Sequence, residues 1–208
     1  MIPILYQDES LLVVDKPHDV LTTPGRGADK QDCLISRLLP QFPNARIIHR
    51  LDMATSGIVV LALSHAAQVA MGHLFEKRAI NKTYVAFVDG KLSQLSGEVD
   101  KPLICDWENR PIQKVCFNSG KAALTHYKSI EYNAVEDWTR VRLEPKTGRS
   151  HQLRVHMLAL GHPIIGDFFY APKPVLSKST RLLLHASQLS FEHPLLNKAV
   201  NVRSKVPF

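Results

Sequence analysis

The chain has few cysteines: three in 208 residues, Cys33, Cys105 and Cys116, with no CxxC spacing among them. An odd, scattered set excludes a disulfide framework and points to a reducing cytoplasm. A secretory signal is also missing, because Asp8, Glu9, Asp15 and Lys16 interrupt every early apolar run. No run approaches the roughly 20 apolar residues that a membrane span needs. Metalloprotease and serine-hydrolase signatures (HExxH, GxSxG) are absent. Of the ten histidines, His151 and His156 stand five apart, off a common helical face, so a metal site is not expected. No glycine-rich phosphate loop follows a strand, which disfavours a doubly wound nucleotide-binding fold.

Basic residues are plentiful. Twenty-six Lys and Arg against nineteen Asp and Glu leave a formal charge of +7, which favours a polyanionic ligand such as nucleic acid. The cations run from Lys16 to Lys205 without forming a tail, so a polyanion would meet a folded surface.

The hydrophobic patterning predicts one α+β domain over residues 1–208, a large mixed, mainly antiparallel β-sheet flanked by a few helices. Ile4 to Gln7 and Leu11 to Asp15 read as an opening hairpin, and Asp32 to Leu39 as a short helix closed by Pro40. Ile58 to Leu63 is continuously apolar, as in a strand buried on both faces. Ser64 can cap a helix running to about Arg78. Lys82 to Val88 returns to strand, and Val99 to Leu143 is mostly β. Ser150 to Leu160 reads as a second helix with a Ser cap, stopped by Gly161. Leu182 to Phe191 and Ala199 to Arg203 supply the last strands.

Ile47 to Asp52 reads as a short strand, which would put Arg50 and Asp52 on one face ahead of a Thr-Ser-Gly turn. They form either a site or an ordinary surface ion pair. Arg154, between Leu153 and Val155, is in company apolar enough to require a buried partner, and Asp52 is the candidate. Such a pairing would keep Asp52 ionised as nucleophile or base; a structural ion pair is the alternative. Lys82 and Tyr84 share a strand face, where a tyrosine serves either packing or the stacking of a planar base.

Three segments then carry a resemblance. HRLDMATSGIVVLA (49–62), KTYVAFVDG (82–90) and TGRSHQLRVHMLALGHPIIGD (147–167) are similar, in this order, to the aspartate, tyrosine and arginine motifs of the RluA family of RNA pseudouridine synthases, and LLLHASQLSFEHP (182–194) to its closing strand. The resemblance implies that Asp52 is the nucleophile acting on a flipped uridine, that Tyr84 stacks on the uracil, that Arg154 pairs with Asp52, and that Arg50 enters the space the base leaves. It implies no metal or organic cofactor. His49, Lys82, Arg149, Arg110 and Lys114 become candidate RNA contacts, with Arg26 and Lys30 as further phosphate contacts. The segment ICDWENRPIQKVC (104–116), and a start directly in the first catalytic strands without an S4-type RNA-binding domain, resemble the branch that modifies both a tRNA anticodon stem-loop and a 23S rRNA hairpin. Asp19 stands where the family usually has glycine, and a positive φ there would strain the turn.

A non-catalytic RNA-binding module would have no use for the Asp52, Tyr84 and Arg154 set. A glycoside hydrolase would need a second carboxylate partnered with Asp52, and none is evident.

Overall fold

The computed structural model describes residues 2–208 and forms the mixed, mainly antiparallel α+β fold expected from the pattern. In chain order, β1 (Ile4–Gln7) and β2 (Leu11–Lys16) precede α1 (Leu34–Leu38), β3 (Arg46–Ile47), β4 (Ser56–Ala62) and α2 (His65–Glu76). Next come β5 (Asn81–Asp89), β6 (Ser96–Asp100), β7 (Leu103–Cys105), β8 (Gln113–Val115), β9 (Leu124–Asn133) and β10 (Trp138–Pro145). The short helices α3 (Gln152–Ala159) and α4 (Lys173–Leu176) lead to β11 (Leu184–Glu192) and β12 (Ala199–Arg203). No helix among the described residues is long and apolar enough to cross a membrane.

The chain divides into two compact units, one of Met1–Lys82 with His185–Pro207, the other of Thr83–Leu184 with Phe208. In the first, β4 is buried at all seven positions because it pairs antiparallel with β2 and β3 and parallel with β11. Leu11 and Val13 of β2 and Ile58, Val60 and Ala62 of β4 join Ala67 and Met71 of α2 in one core layer, completed by Leu189, Phe191, Val200 and Val202. Alternate residues Leu12, Val14, Val59 and Leu61 are equally buried, so neither strand shows a polar face in its sequence. Ser64 caps α2 by accepting from the Ala67 amide at 3.1 Å.

In the second unit β10 lies between β5 and β9, and β6 adds to β9, all antiparallel. Strands β7 and β8 form a separate hairpin whose Leu103 packs with Ala123 and Val155 of α3.

Two boundaries differ from the sequence pattern. The strand expected over Ile47 to Asp52 ends at Ile47, and the residues from Ile48 to Thr55 form a loop, so the alternation argument for Arg50 and Asp52 does not apply. Helix α3 starts at Gln152 with His151 at its N-cap in the left-handed region (φ 53°), instead of at a Ser150 cap. The Gln152 side chain explains the shift: its Oε1 accepts from the Arg149 amide and the Thr147 hydroxyl, while its Nε2 donates to the Leu124 carbonyl and Thr125 Oγ1.

Asp19 does adopt φ +57°. Its carboxylate meets His18 Nδ1 at 2.8 Å on the surface, which compensates little. Replacing it with the branched Asp19→Val is expected to lower unfolding free energy by about 1–2 kcal/mol, and Asp19→Gly to leave it within about 0.5 kcal/mol, read from urea denaturation midpoints.

Candidate active site

The loop carrying Arg50 and Asp52 is held by contacts from distant parts of the chain. Thr22 Oγ1 donates to the Leu51 carbonyl at 2.8 Å, and the Leu51 amide returns a bond to the same oxygen at 3.2 Å. Lys16, with 0% of its surface exposed, donates from Nζ to the carbonyls of Pro17 (2.9 Å), Val20 (2.7 Å) and Met53 (3.0 Å). The Thr55 amide closes a turn on the Asp52 carbonyl at 3.1 Å. With Leu51 and Thr55 buried on either side, Asp52 is half-buried while Arg50 and Met53 are exposed. The backbone on either side of Asp52 is therefore pinned, at Leu51 and at Met53.

The chain then enters β4 at Ser56, so Ser56 and Gly57 of the Thr-Ser-Gly segment open a strand and do not form a turn. Gly57 has φ +114°, and a Cβ there would lie 2.4 Å from the Ala186 carbonyl oxygen of β11. Only glycine permits that approach. Beside it, Ser56 Oγ meets His185 Nδ1 at 2.9 Å, His185 Nε2 meets Ser204 Oγ at 2.9 Å, and Ser204 donates to Asp15 at 2.6 Å. This buried chain of polar groups was not legible in the sequence, because its members are far apart along the chain.

His49 is scaffold as much as surface. Its Nε2 accepts from the Val60 amide at 3.0 Å and its ring stacks on Phe75 at 4.6 Å. Burial, with Lys82 nearby, pushes its pKa down to about 3, so the ring is neutral and supplies no charge to a phosphate. Lys82 is half-buried, and desolvation, then the charge of Arg78, lowers its pKa as well. Tyr84, two residues on, is half-buried on β5 opposite Leu143.

Arg154 on α3 is 3% exposed. Its Nε and Nη2 donate to Asp167 Oδ2 (2.8 Å) and Oδ1 (2.6 Å), a bidentate pair with a carboxylate that is itself 0% exposed. Asp167 also accepts from the amides of Phe169 and Tyr170, and those two rings lie 5.3 and 5.0 Å from the guanidinium. Asp167 is the residue that sequence reasoning missed as a partner of Arg154. The available signal was the Gly166-Asp167 turn: Gly166 has φ +74° and a Cβ there would lie 1.9 Å from the Arg181 carbonyl oxygen, so the turn bearing Asp167 has one conformation.

The remaining candidates are exposed. Arg149 donates to the Ala122 carbonyl, Lys114 pairs with Asp106 at 3.1 Å, and Arg110 lies over Trp107. Lys30 ends an exposed 3-10 turn, and Arg26 lies two residues ahead of it. One unit thus carries Asp52, Arg50, His49 and Lys82; the other carries Tyr84, Arg154, Arg149, Arg110 and Lys114.

Residues 10–159 match the RNA pseudouridylate synthase family. The chain is 49% identical over 205 residues to the dual-specificity RNA pseudouridine synthase RluA of Escherichia coli K12, covering 99% of this chain and 93% of that one. It is 48% identical to the protein of the same name from Yersinia pestis, with 99% of both chains covered. Among solved structures it is similar to human RNA pseudouridylate synthase domain containing 1, at TM-score 0.84 and 31% identity over 100% of this chain and 84% of that one.

The buried ion pair predicts an asymmetry between single and double substitutions. Asp167→Ala strands an uncompensated guanidinium and is expected to lower unfolding free energy by about 3–5 kcal/mol. The double change Arg154→Met with Asp167→Leu is expected to recover part of that stability while abolishing activity, as checked by urea denaturation beside an activity assay.

Proposed function

The chain belongs to the RNA pseudouridylate synthase family and isomerises uridine to pseudouridine in RNA, and on that premise we propose that its substrates are a tRNA anticodon stem-loop and a 23S rRNA hairpin, modified in the cytoplasm. The observation that carries this reading is near-half identity, end to end, with synthases named for dual specificity.

Asp52 is the nucleophile in this proposal, its carboxylate oxygen adding to the flipped nucleotide. The C1′–N1 bond breaks, the uracil turns, C5 bonds to C1′, and the bond from the nucleotide to the Asp52 oxygen breaks, returning the free carboxylate. The proton on C5 leaves and N1 acquires one, so the product is an isomer. Tyr84 is the stacking face, and its hydroxyl the candidate acceptor of the C5 proton. Arg154 is assigned as the cation partnering Asp52; its bidentate hold on Asp167 keeps the guanidinium in one orientation. Arg50 fills the gap in the RNA. A planar cation exposed on a loop pinned by Lys16 and Thr22 suits that task, because unstacking a base costs a few kcal/mol that a stacked guanidinium offsets. Arg149, Arg110, Lys114, Arg26 and Lys30 contact phosphates without reading sequence.

Purified protein is expected to release tritium from C5-labelled uridine in the anticodon stem-loop. Asp52→Ala should abolish release and leave RNA binding largely intact; unchanged turnover in that variant would remove Asp52 from the mechanism. Affinity should fall steeply as salt is raised, log K declining linearly with log salt, and a flat dependence would argue against phosphate contacts.

A further inference from the structure

The β7–β8 hairpin carries an exposed tryptophan on a rigid tip. Trp107 is 66% exposed, whereas Trp138, the other tryptophan, stacks on Phe87 at 4.3 Å. The Arg110 guanidinium lies 4.7 Å from the Trp107 ring centroid, and its Nε donates to the Trp107 carbonyl at 3.2 Å. Asp106 organises the turn beneath: it accepts from Asn109 Nδ2 and Lys114 Nζ, and its amide donates to the Ile112 carbonyl. Hydrogen bonds from Asn109 and Lys114 hold its carboxyl below the usual carboxylate range, so the turn stays tied at neutral pH.

The hairpin is also fastened to the segment that holds Arg154. The Gln113 amide donates to Tyr170 Oη at 2.8 Å, Tyr170 Oη meets His151 Nδ1 at 2.7 Å, and the Tyr170 ring lies 5.0 Å from the Arg154 guanidinium. A large flat ring kept in water, braced by a cation and mounted on an ordered turn, is what base stacking uses; exposed aromatics beside Arg bind unpaired bases without regard to sequence. At the far end of the hairpin Phe117, 71% exposed, has Lys101 over its ring at 5.7 Å, so the same pairing of aromatic and cation recurs. Cations at both rings favour a nucleic acid over an apolar protein surface.

We propose that Trp107, braced by Arg110, is a stacking platform for an unpaired base of the substrate RNA, separate from the flipped uridine. This rests on the reading of the chain as an RNA-modifying enzyme. Trp107 adds a gripping point that selects RNA with unpaired loop bases, and its anchorage through Tyr170 fixes the hairpin relative to Arg154.

The test uses the full chain carrying Trp138→Phe, leaving Trp107 as sole tryptophan, titrated with the anticodon stem-loop. Trp107 emission should be quenched on binding. Trp107→Ala should weaken affinity roughly 10- to 100-fold, Trp107→Phe should restore most of it, and the penalty should shrink when the loop is made abasic. The salt slope should be unchanged in Trp107→Ala and reduced by about 1 in Arg110→Gln. Unquenched emission, unchanged affinity in Trp107→Ala, or an equal penalty on abasic RNA would each overturn the platform, even with normal tritium release. Absence of tritium release with quenching retained would instead overturn the enzymatic reading and leave the platform standing.

Discussion

A lysine ammonium with no exposed surface cannot remain charged unless its donors are met, and in this chain Lys16 meets them with backbone carbonyls. Two, Pro17 and Val20, belong to the turn that follows β2; the third, Met53, belongs to the loop bearing Asp52. One side chain therefore stitches the end of a core strand to the residue next to Asp52. Thr22 repeats the device at Leu51, giving and receiving a bond at one oxygen. A loop of eight residues with no strand partner acquires the rigidity of the sheet through these contacts, and Arg50 and Asp52 inherit it.

The second unit solves the same problem with charge. Arg154 and Asp167 are both buried, each supplies what the other lacks, and the amides of Phe169 and Tyr170 complete the carboxylate. A buried ion pair of this kind contributes little net stability, yet it admits one geometry. The aromatic rings over the guanidinium extend that order outward to the β7–β8 hairpin.

Much of this was legible in the sequence where the relevant force is local. The opening hairpin, the Ser64 cap and the apolar run of β4 follow from neighbours within a few residues. At Asp19 the backbone takes a positive φ, at the position where the resemblance implied a glycine. What failed depended on distant partners. Leu51 and Met53 bond to Thr22 and Lys16, 29 and 37 residues away, instead of to a strand, so alternation misread their loop as sheet. The start of α3 was set by Gln152 reaching across to β9, and the carboxylate for Arg154 lay 13 residues downstream, past the end of its helix. The support beneath the candidate residues was written in tertiary contacts.

The unit holding Asp52 is discontinuous, made of Met1–Lys82 and His185–Pro207, and β4 has its parallel partner in β11. Strand β11 also supplies His185, linked to Ser56 on one side and through Ser204 to Asp15 on the other. During synthesis, which delivers residues from the N-terminus at roughly 5–20 per second, the Ser56–Gly57 edge of β4 waits unpaired until β11 has emerged, close to the end of the chain. The loop bearing Asp52 thus leads into a strand whose pairing is completed last, and a ribosome that stops early releases a product in which this unit is unfinished.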